Sequence, residues 1–281
     1  MKTFHTIKEL KEEIRSLKKS GNCIGFVPTM GFLHEGHKSL IERAVKENDI
    51  VVVSIFVNPT QFGPTEDLDA YPRDLEHDKK LCKDAGASII FNPDPKEMYI
   101  EGACSTVNVS GLTEGLCGAK RPVHFGGVCT VVSKLFNIVT PDKAYFGEKD
   151  AQQLAVIKRM VMDLNFDIEI IGCPIIREED GLAKSSRNTY LSSEERKAAL
   201  ILNKSLTLAK KALISGEKNV NNITDIIKNS LNTEPLAKID YVEIVDSLNL
   251  KPVTSTDNSI LIAIAVYIGK TRLIDNFTWT N

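Results

Sequence analysis

The sequence lacks the features that mark secreted, membrane-spanning and zinc-binding proteins. Its six cysteines include no CxxC pair, no apolar signal segment stands near the N-terminus, and no apolar run reaches the roughly 18 residues of a membrane span. A disulfide framework and a zinc site are therefore not expected. We expect reduced, mostly buried cysteines, a cytoplasmic protein and no membrane partner.

The sequence also lacks an excess of charge of either sign. Thirty-five basic residues stand against 37 acidic ones, which leaves a formal net charge of -2. A chain without a net basic field is not drawn to nucleic acid over long range, so we expect no nucleic-acid partner. Any anionic ligand has to be bound by local groups.

Two common nucleotide-binding fingerprints are missing as well. The chain has no GxxxxGK[ST] loop and no GxGxxG turn. Their absence argues against phosphoryl transfer by a P-loop enzyme and against redox chemistry with a dinucleotide.

What the sequence does contain is a strand, a turn and a helix start that carry two histidines. An apolar run at Cys23–Val27 leads into the turn sequence PTMGFLHEGH at 28–37, and a helical pattern follows at Ser39–Glu47. The start of a helix presents unpaired N–H groups and a partial positive charge, which favour a bound anion such as a phosphate. This turn is therefore the first candidate for chemistry.

The two histidines strengthen that interpretation. If the helix begins near Glu35, His34 and His37 lie three positions apart on roughly one face. Gly36 between them lets a flat ligand approach the backbone. A single histidine at a helix start is more often a solvated or capping residue, but the pair with its glycine, directly after an apolar strand, favours a binding site.

The alternation of strands and helices predicts the fold class. The β-branched run Ile50–Val57 is typical of a parallel sheet covered on both faces. The pattern also predicts helices between residues 6 and 21 and at about 74–84, 127–139, 151–164, 193–214 and 223–231, and strands at 88–91, 105–109, 144–146, 167–176, 241–245, 260–268 and 272–277. We therefore predict an α/β protein with a doubly wound parallel sheet, which binds ligands at the carboxyl ends of its strands.

The composition changes after Ile176, where a polar and turn-prone segment begins. We predict a domain boundary there, with the α/β domain at 1–176. The elements that follow, two helical patterns and three strands, predict a smaller α+β domain at 177–281.

Two further segments carry groups suited to phosphates. Gly147-Glu148-Lys149-Asp150 closes a predicted strand and opens a helix, so Lys149 is placed to hold a phosphate beside backbone N–H groups. Asp150 also has the spacing of a plain helix cap with Gln153, and that alternative stays open. Lys184-Ser185-Ser186-Arg187 offers two cations and two hydroxyls to a triphosphate, although short basic loops are usually solvated surface.

Two glutamines, Gln61 and Gln153, carry neutral amides that both donate and accept hydrogen bonds. Such amides suit a substrate with hydroxyl and carboxylate groups. Taken alone, each is more often a surface residue.

Longer sequence motifs indicate one particular family and therefore one function. His34-Glu35-Gly36-His37 is similar to the HxGH signature of the nucleotidylyltransferase superfamily, and the 184–187 segment resembles its KMSKS-type partner loop. The resemblance extends over most of residues 25–190 through the strings PTMGFLHEGH, FVNPTQF, YPRDLEHD, KLFNIVTPDKAYFGEKDAQQL and REEDGLAKSSRN. On these motifs the chain resembles the pantothenate synthetase (pantoate–β-alanine ligase) family.

The resemblance implies a Rossmann-type domain at 1–176 that binds ATP and pantoate, a lid-like domain at 177–281 that closes over ATP, and a homodimer. It also implies ATP-dependent condensation of (R)-pantoate with β-alanine to pantothenate, AMP and pyrophosphate, in the route to coenzyme A. Because no Cys or Ser has a visible base and orienting group, we expect a bound pantoyl adenylate rather than an acyl-enzyme. Mg²⁺ is implied by ATP, so we expect phosphate oxygens as its main ligands and name no protein ligand.

The functional residues of the family fall on matching positions of this chain. The resemblance implies that His37 is the proton donor and that the other catalytic residues are His34, Lys149, Lys184 and Arg187. It implies ATP contacts at Met30, Gly31, Phe32, Leu33, His34, Glu35, Gly36, His37, Gly147, Glu148, Lys149, Asp150, Ile176, Lys184, Ser185, Ser186 and Arg187. Gln61 and Gln153 match the pantoate-binding positions, with Gln61 also near β-alanine, and Asn58 lies close to them.

Two positions depart from the family strings. Val123 stands where the family has glycine, and Ala151 stands where an aromatic residue often follows GEKD. The departures put the local backbone around His124 in doubt rather than the chemistry.

Two other functions fit the same motifs. One is an enzyme of the same superfamily that leaves the adenylyl group on its product, and the other is a non-catalytic nucleotide sensor. Release of free AMP distinguishes the ligase from the first alternative, and turnover distinguishes it from the second.

Overall fold

The computed structural model describes residues 1–64 and 66–280, and contacts within the chain divide it into two compact units. Unit 1 comprises residues 1–111, 121–148 and 156–174. Unit 2 comprises residues 112–120, 149–155 and the chain from Ile175 onward. The units alternate along the chain, whereas the sequence predicted one boundary after Ile176. The functional roles assigned to the domains 1–176 and 177–281 stay predictions.

Unit 1 contains a six-stranded parallel sheet with the strand order β1-β4-β3-β2-β5-β6. Its strands are β1 Lys2–Phe4, β2 Ile24–Thr29, β3 Ile50–Ile55, β4 Ile89–Phe91, β5 Lys143–Gly147 and β6 Glu169–Cys173. The chain builds outward from β2 through β3 and β4, and then returns to add β5 on the other side of β2. The chain reverses its direction of building between the paired strands β2 and β5, which makes this position the topological switch point. Such sheets bind ligands there, beyond the carboxyl ends of the strands. The predicted fold class is confirmed.

Ten α-helices accompany the strands in the described residues. They are α1 Ile7–Lys19, α2 Glu35–Glu47, α3 Leu75–Asp84, α4 Pro95–Met98, α5 Leu116–Lys120, α6 His124–Val139, α7 Ala151–Asp163, α8 Ser193–Ala198, α9 Leu200–Ile214 and α10 Val220–Leu231. Short 3₁₀ helices lie at Pro59–Gln61, Glu148–Asp150 and Ser186–Tyr190. Within the described ranges, no helix combines the length and the apolar character needed to cross a membrane.

Helices cover both faces of the parallel sheet. On β2, Phe26 meets Phe136 of α6 edge to face with ring centroids 6.4 Å apart, while the next residue, Val27, packs in a cluster with Ile41 of α2. Successive side chains of a strand point to opposite faces, so α6 and α2 lie on opposite sides of the sheet. This double burial explains why the β3 sequence is apolar without interruption from Ile50 to Val53.

Tyr145 ties β5 to the end of α2. Its buried hydroxyl donates to Glu47 Oε2 at 2.9 Å and accepts from Asn48 Nδ2 at 2.7 Å. Burial raises the pKa of Tyr145 far above its usual value, so the hydroxyl remains a neutral donor. The helix that starts beside the two histidines is thereby fixed to the strand that ends at Gly147.

Unit 2 contains a three-stranded antiparallel sheet of order β7-β8-β9. Its strands are β7 Ala237–Asp246, β8 Ile260–Ile268 and β9 Thr271–Trp279. One face packs against α9 and α10, and the other packs against α5 and the first turn of α7, so the central strand β8 is almost entirely buried. The predicted smaller α+β part of the chain is confirmed.

Some local expectations were wrong. Residues 105–109 form no strand, because the backbone N–H of Val107 donates to Thr130 Oγ1 of α6 at 2.9 Å rather than to a neighbouring strand. The helix predicted at 193–214 is interrupted at Ala199, where Leu202 N–H donates to the Ala199 carbonyl, three residues back, at 3.2 Å. The elements β1, α4 and α5 were not predicted, since they are only three, four and five residues long.

Candidate active site

The loops after three adjacent strands contain many of the predicted site residues. The strands β3, β2 and β5 are neighbours in the parallel sheet, so the chain leaves all three at the same edge. Asn58 and Gln61 follow β3, the segment 30–37 follows β2, and Gly147 with Glu148 ends β5. Unit 1 thus brings these residues to one edge of its sheet.

The two histidines form a reciprocal cap at the start of α2, which begins at Glu35, the start that the spacing argument assumed. His34 Nδ1 accepts a hydrogen bond from Gly36 N–H at 3.1 Å, and His37 Nδ1 accepts one from His34 N–H at 3.2 Å. The rings lie with centroids 4.1 Å apart, and both are half-buried. This is a capping box built from two imidazoles. Capping uses only Nδ1, so it is compatible with ligand binding through Nε2.

A buried carboxylate from α3 holds the turn that precedes α2. Asp78 accepts hydrogen bonds from Phe32 N–H at 2.8 Å and from Leu33 N–H at 2.6 Å. Gly31 and Phe32 have φ angles of +84° and +50°, a left-handed backbone that is costly for Phe32 and needs such support. Burial raises the pKa of Asp78, although the two N–H donors act in the opposite direction.

Sequence reasoning missed Asp78 and its neighbour His77. The Nε2–H of His77 donates to the Leu33 carbonyl at 3.1 Å, so the turn receives bonds from two consecutive residues of α3. In the sequence both lie within a charged helical pattern that is typical of a solvated face. Nothing in that pattern indicates which charged side chain points inward.

Gln61 is buried, and its amide faces the turn after β2. Its Nε2 donates to Met30 Sδ at 2.9 Å, and its Oε1 accepts from Asn58 Nδ2 at 3.2 Å. Asn58 also donates to the Gly127 carbonyl at 3.1 Å, and its Oδ1 accepts from two hydroxyls at 2.7 and 3.0 Å. The structure therefore brings Met30, Asn58 and Gln61 together, with the Asn58 amide bonded to protein on every side.

Helix α6 supports the Gln61 turn by direct contact. A Cβ atom at Gly127 would lie 2.4 Å from the Thr60 carbonyl oxygen and 2.6 Å from both N and Cα of Gln61. Real side chains do not come this close to backbone atoms, so only glycine lets the helix and the turn approach. Nothing in the sequence marks this contact, because Gly127 stands in an apolar helical run.

The segment before α6 also contacts this turn. His124 donates from Nδ1 to the Gln61 carbonyl at 3.0 Å, since a carbonyl only accepts. Arg121 donates to both carboxylate oxygens of Glu66 at 2.6 Å. Burial would raise the pKa of Glu66, but the Arg121 guanidinium holds it below its usual value. Val123 has φ -88°, an ordinary right-handed conformation, so the backbone here does not need the glycine of the family string.

In unit 2, a short hairpin presents the predicted basic segment. Lys184 N–H donates to the Ile176 carbonyl at 2.9 Å, and Arg177 pairs with Ala183 in an antiparallel bridge. Two residues predicted to contact ATP, Ile176 and Lys184, are thus direct neighbours across the hairpin.

The basic segment continues into a short helix. Ser185 Oγ accepts from Arg187 N–H at 3.3 Å and caps the 3₁₀ helix Ser186–Tyr190. Lys184 Nζ lies 3.5 Å from Glu178 Oε2. The segment therefore has a defined local structure rather than that of an open surface loop.

Two consecutive residues of β9 bond to two segments of unit 2, the 176–184 hairpin and the segment that begins at Lys149. Asp275, which is buried, accepts from both terminal nitrogens of Arg177 at 2.7 and 2.9 Å, and so fixes the hairpin. Asn276 Nδ2 donates to the Lys149 carbonyl at 2.8 Å. Sequence reasoning missed both residues, because they lie in an ordinary strand pattern.

The adjacent glutamines of α7 differ in their surroundings. Gln152 is buried and bonds to the backbone of Leu112, Gly115 and Cys117, each at 2.9 Å. Gln153 is half-buried, and within residues 1–64 and 66–280 its amide makes no protein hydrogen bond. Of the two, Gln153 has the bonding capacity for a ligand, and its assignment to pantoate stays a prediction.

A model of the pantoate-beta-alanine ligase family matches residues 2–278. The chain belongs to this family. It is similar to pantothenate synthetase from Clostridioides difficile (strain 630), 71% identical over 273 residues and covering 97% of each chain, and to that of Clostridium acetobutylicum, 70% identical over 279 residues and covering 99% of each. The chain is therefore an enzyme that ligates pantoate and β-alanine, and a non-catalytic sensor is not supported.

Solved structures of the family share the fold. Pantothenate synthetase from Thermus thermophilus has a TM-score of 0.94 at 46% identity, with 99% of each chain covered. Pantoate-beta-alanine ligase from Francisella tularensis, complexed with beta-gamma ATP and β-alanine, has a TM-score of 0.82 at 38% identity, covering 99% of this chain and 97% of that chain. The Rossmann-type prediction is thereby confirmed.

We expect Gly127→Ala to destabilise the protein by about 1–3 kcal/mol, because the new methyl group would overlap backbone atoms of the Gln61 turn. The measurement is urea unfolding together with amide hydrogen exchange of residues 58–62. Gly126→Ala, in the same turn of α6, is the matched control. Its Cβ would approach, among the described atoms, only the Asn108 side chain, which can rotate away. Equal effects of the two substitutions would contradict the close-contact argument.

Proposed function

We propose that this chain activates (R)-pantoate with ATP and joins it to β-alanine, yielding pantothenate, AMP and pyrophosphate in the route to coenzyme A. The observation that carries the proposal is the position of the HxGH helix start and of the Gln61 turn. They follow β2 and β3, which are adjacent strands in a family ligase, and β2 borders the switch point. The Francisella tularensis relative, complexed with beta-gamma ATP and β-alanine, supports the choice of substrates.

The order of the chemistry follows from the unreactive carboxylate of pantoate. Its oxygen must become part of a leaving group before an amine can attack. Attack of the carboxylate on the α-phosphorus of ATP forms pantoyl adenylate and releases pyrophosphate. The amine of β-alanine then attacks the acyl carbon and releases AMP.

An acyl-enzyme through a buried cysteine is disfavoured. Burial raises the pKa of Cys82 to about 12 and that of Cys129 to about 11, which keeps both thiols protonated and weakly nucleophilic. Burial also raises the pKa of Cys23 and of Cys173. The proposal therefore uses an adenylate bound without a covalent link to the enzyme.

We assign the charged groups to the pyrophosphate that leaves in the first step. His34 and His37 lie at the positive end of α2, and the cations come from Lys149, Lys184 and Arg187. The proposed ATP contacts are Met30 to His37, Gly147 to Asp150, Ile176 and Lys184 to Arg187. We assign Gln61 and Gln153 to pantoate, and Asn58 to positioning Gln61, since its amide is satisfied by protein.

Magnesium accompanies ATP in the proposal. In the part of the chain that the structure describes, no group of three or more His, Cys, Asp or Glu residues is arranged to hold a metal ion. We therefore assign the ion to phosphate oxygens of ATP, where its charge would help pyrophosphate to leave. The homodimer, the lid role of the C-terminal part and the cytoplasmic location stay predictions.

The first test separates the adenylate mechanism from its alternatives. Enzyme, magnesium-ATP and pantoate without β-alanine should exchange labelled pyrophosphate into ATP. After full turnover, oxygen-18 from the pantoate carboxylate should appear in AMP. Label found only in phosphate, or exchange that strictly requires β-alanine, would defeat the adenylate. A product that retained the adenylyl group would favour the other enzyme of the superfamily.

We expect Lys184→Ala and Arg187→Ala to slow single-turnover adenylation by on the order of 100-fold, because the charge they face grows in the transition state. ATP affinity should fall much less. Arg196→Ala is the control, since Arg196 also pairs with Glu178 and its loss removes the same charge from this hairpin region. Near-normal adenylation rates with weaker ATP binding would show instead that the segment binds ATP in the ground state and does not stabilise the transition state.

We expect Gln153→Ala to affect substrate binding and Gln152→Ala to affect stability. Gln153→Ala should raise the KM for pantoate by about tenfold or more, the scale for losing a hydrogen bond to a charged group, at little cost in stability. Gln152→Ala should lower the unfolding free energy by about 2 kcal/mol or more, because three backbone groups lose their partner. Steady-state kinetics and urea unfolding measure the two effects. A loss of stability in both variants with unchanged KM would remove Gln153 from the site.

A further inference from the structure

Tyr99 connects the end of α4 to the turn that carries Gln61. It is the residue that follows α4, and its N–H donates to the Pro95 carbonyl at 2.8 Å. Its hydroxyl donates to Asn58 Oδ1 at 2.7 Å and lies 3.1 Å from Thr60 Oγ1. Burial raises the pKa of Tyr99, so the hydroxyl keeps its hydrogen and remains a donor at neutral pH.

The Asn58 amide is bonded at both ends. Its Oδ1 accepts from the hydroxyls of Tyr99 and Thr60, at 2.7 and 3.0 Å. Its Nδ2 donates to Gln61 Oε1 at 3.2 Å and to the Gly127 carbonyl at 3.1 Å. Rotation of the amide by half a turn would place its oxygen against two acceptor oxygens, and an oxygen without hydrogen cannot donate to them. The Tyr99 hydroxyl makes the shortest of the bonds that hold the amide in this orientation.

Asn58 in turn orients the amide of Gln61. Because Oε1 accepts from Asn58, the Nε2 group of Gln61 is directed to Met30 Sδ, 2.9 Å away in the turn after β2. Asn58 and Gln61 are both buried, so bulk water does not readily replace a bond that is lost between them. A continuous chain of hydrogen bonds therefore runs within unit 1 from the end of α4 through Asn58 to Gln61.

The ring of Tyr99 is held separately from its hydroxyl. The ring centroids of Phe56 and Tyr99 are 6.4 Å apart, and Lys134 Nζ of α6 lies 5.7 Å from the centroid of the tyrosine ring. A neighbouring ring and a cation near the aromatic face act on the ring and not on the hydroxyl. Replacement of this tyrosine by phenylalanine should therefore leave the ring in place and remove only the hydroxyl contacts with Asn58 and Thr60.

We propose that Tyr99 is a positioning residue for pantoate, which acts through Asn58 on the amide of Gln61. This role rests on the proposed function, in which Gln61 binds pantoate. A hydrogen bond weakens steeply when its donor leaves the preferred direction, so the Gln61 amide has to be held in one orientation for pantoate to bind well. Tyr99 contributes to that orientation without a contact of its own to pantoate.

Steady-state kinetics of the full chain with Tyr99→Phe test this role. We expect the KM for pantoate to rise by about three- to tenfold, the scale of one lost hydrogen bond, while the KM for ATP changes by less than about twofold. Lys134→Met is the matched control, because it removes the charge beside the ring and leaves the hydroxyl contacts in place. It should leave the KM for pantoate near the wild-type value. An equal rise in both variants, or an equal rise of both KM values in Tyr99→Phe, would overturn the role.

A double-mutant cycle shows whether Tyr99 acts through Asn58. In an Asn58→Ala background the hydroxyl has no amide to orient, so Tyr99→Phe should add less than about twofold to the KM for pantoate. The same should hold in a Gln61→Ala background, which keeps the test available if Asn58→Ala does not fold. Urea unfolding checks that each variant is folded. A further rise in these backgrounds as large as in the wild-type background would overturn the role.

The same kinetics separate this role from the proposed function. Absence of pantoate-dependent AMP release by the wild-type protein would defeat the proposed function and the role of Tyr99 with it. An unchanged KM for pantoate in folded Gln61→Ala would remove Gln61 from the pantoate site and would also defeat the role. Normal AMP release by the wild-type protein, a raised KM in Gln61→Ala and an unchanged KM in Tyr99→Phe would overturn the role of Tyr99 alone.

Discussion

Parallel pairing of β2 with β3 on one side and β5 on the other is the constraint on which unit 1 depends. The register aligns Thr29 with Ile55, and Gly25 with both Val51 and Lys143. Because the three strands run in one direction, the segments that follow them leave from one edge. Residues that are distant in the chain thereby become neighbours, and each segment then needs only local support to set its side chains.

That support comes from groups outside the signature motifs. Asp78 stabilises a left-handed turn, the absent side chain of Gly127 admits the Gln61 turn, and Tyr145 fixes α2 to β5. In each case a buried polar group or a missing Cβ meets the backbone of another segment. The backbone bonds are directional and the steric contact is short-ranged, so they determine positions to a fraction of an ångström, as catalysis requires.

Sequence patterns predicted those elements that are long enough to show a helical period or an apolar run. The bounds of β8 were predicted without error, since nine apolar residues in a row can be buried on both faces of a covered strand. Short elements such as β1 and α5 contain too few residues for a period, and the interruption at Ala199 has neither Gly nor Pro to mark it. For the site, motifs identified the residues that are proposed to bind ligands. They did not identify the residues that support those binding residues. The residues that contact Asp78 and Gly127 are far from them in the chain, and a local sequence pattern cannot predict such long-range contacts.

The anchors on β9 have a consequence for how this chain can vary in length. Asp275 and Asn276 are consecutive, so their side chains leave opposite faces of the strand, and β8 fixes their register through Ile264 and Ala263. Insertion or deletion of one residue within β9 would exchange the faces and release both the 176–184 hairpin and the Lys149 segment together. Length changes are therefore better tolerated in the turns of unit 2 than within β9, because this one strand positions two segments that are distant from it in the chain.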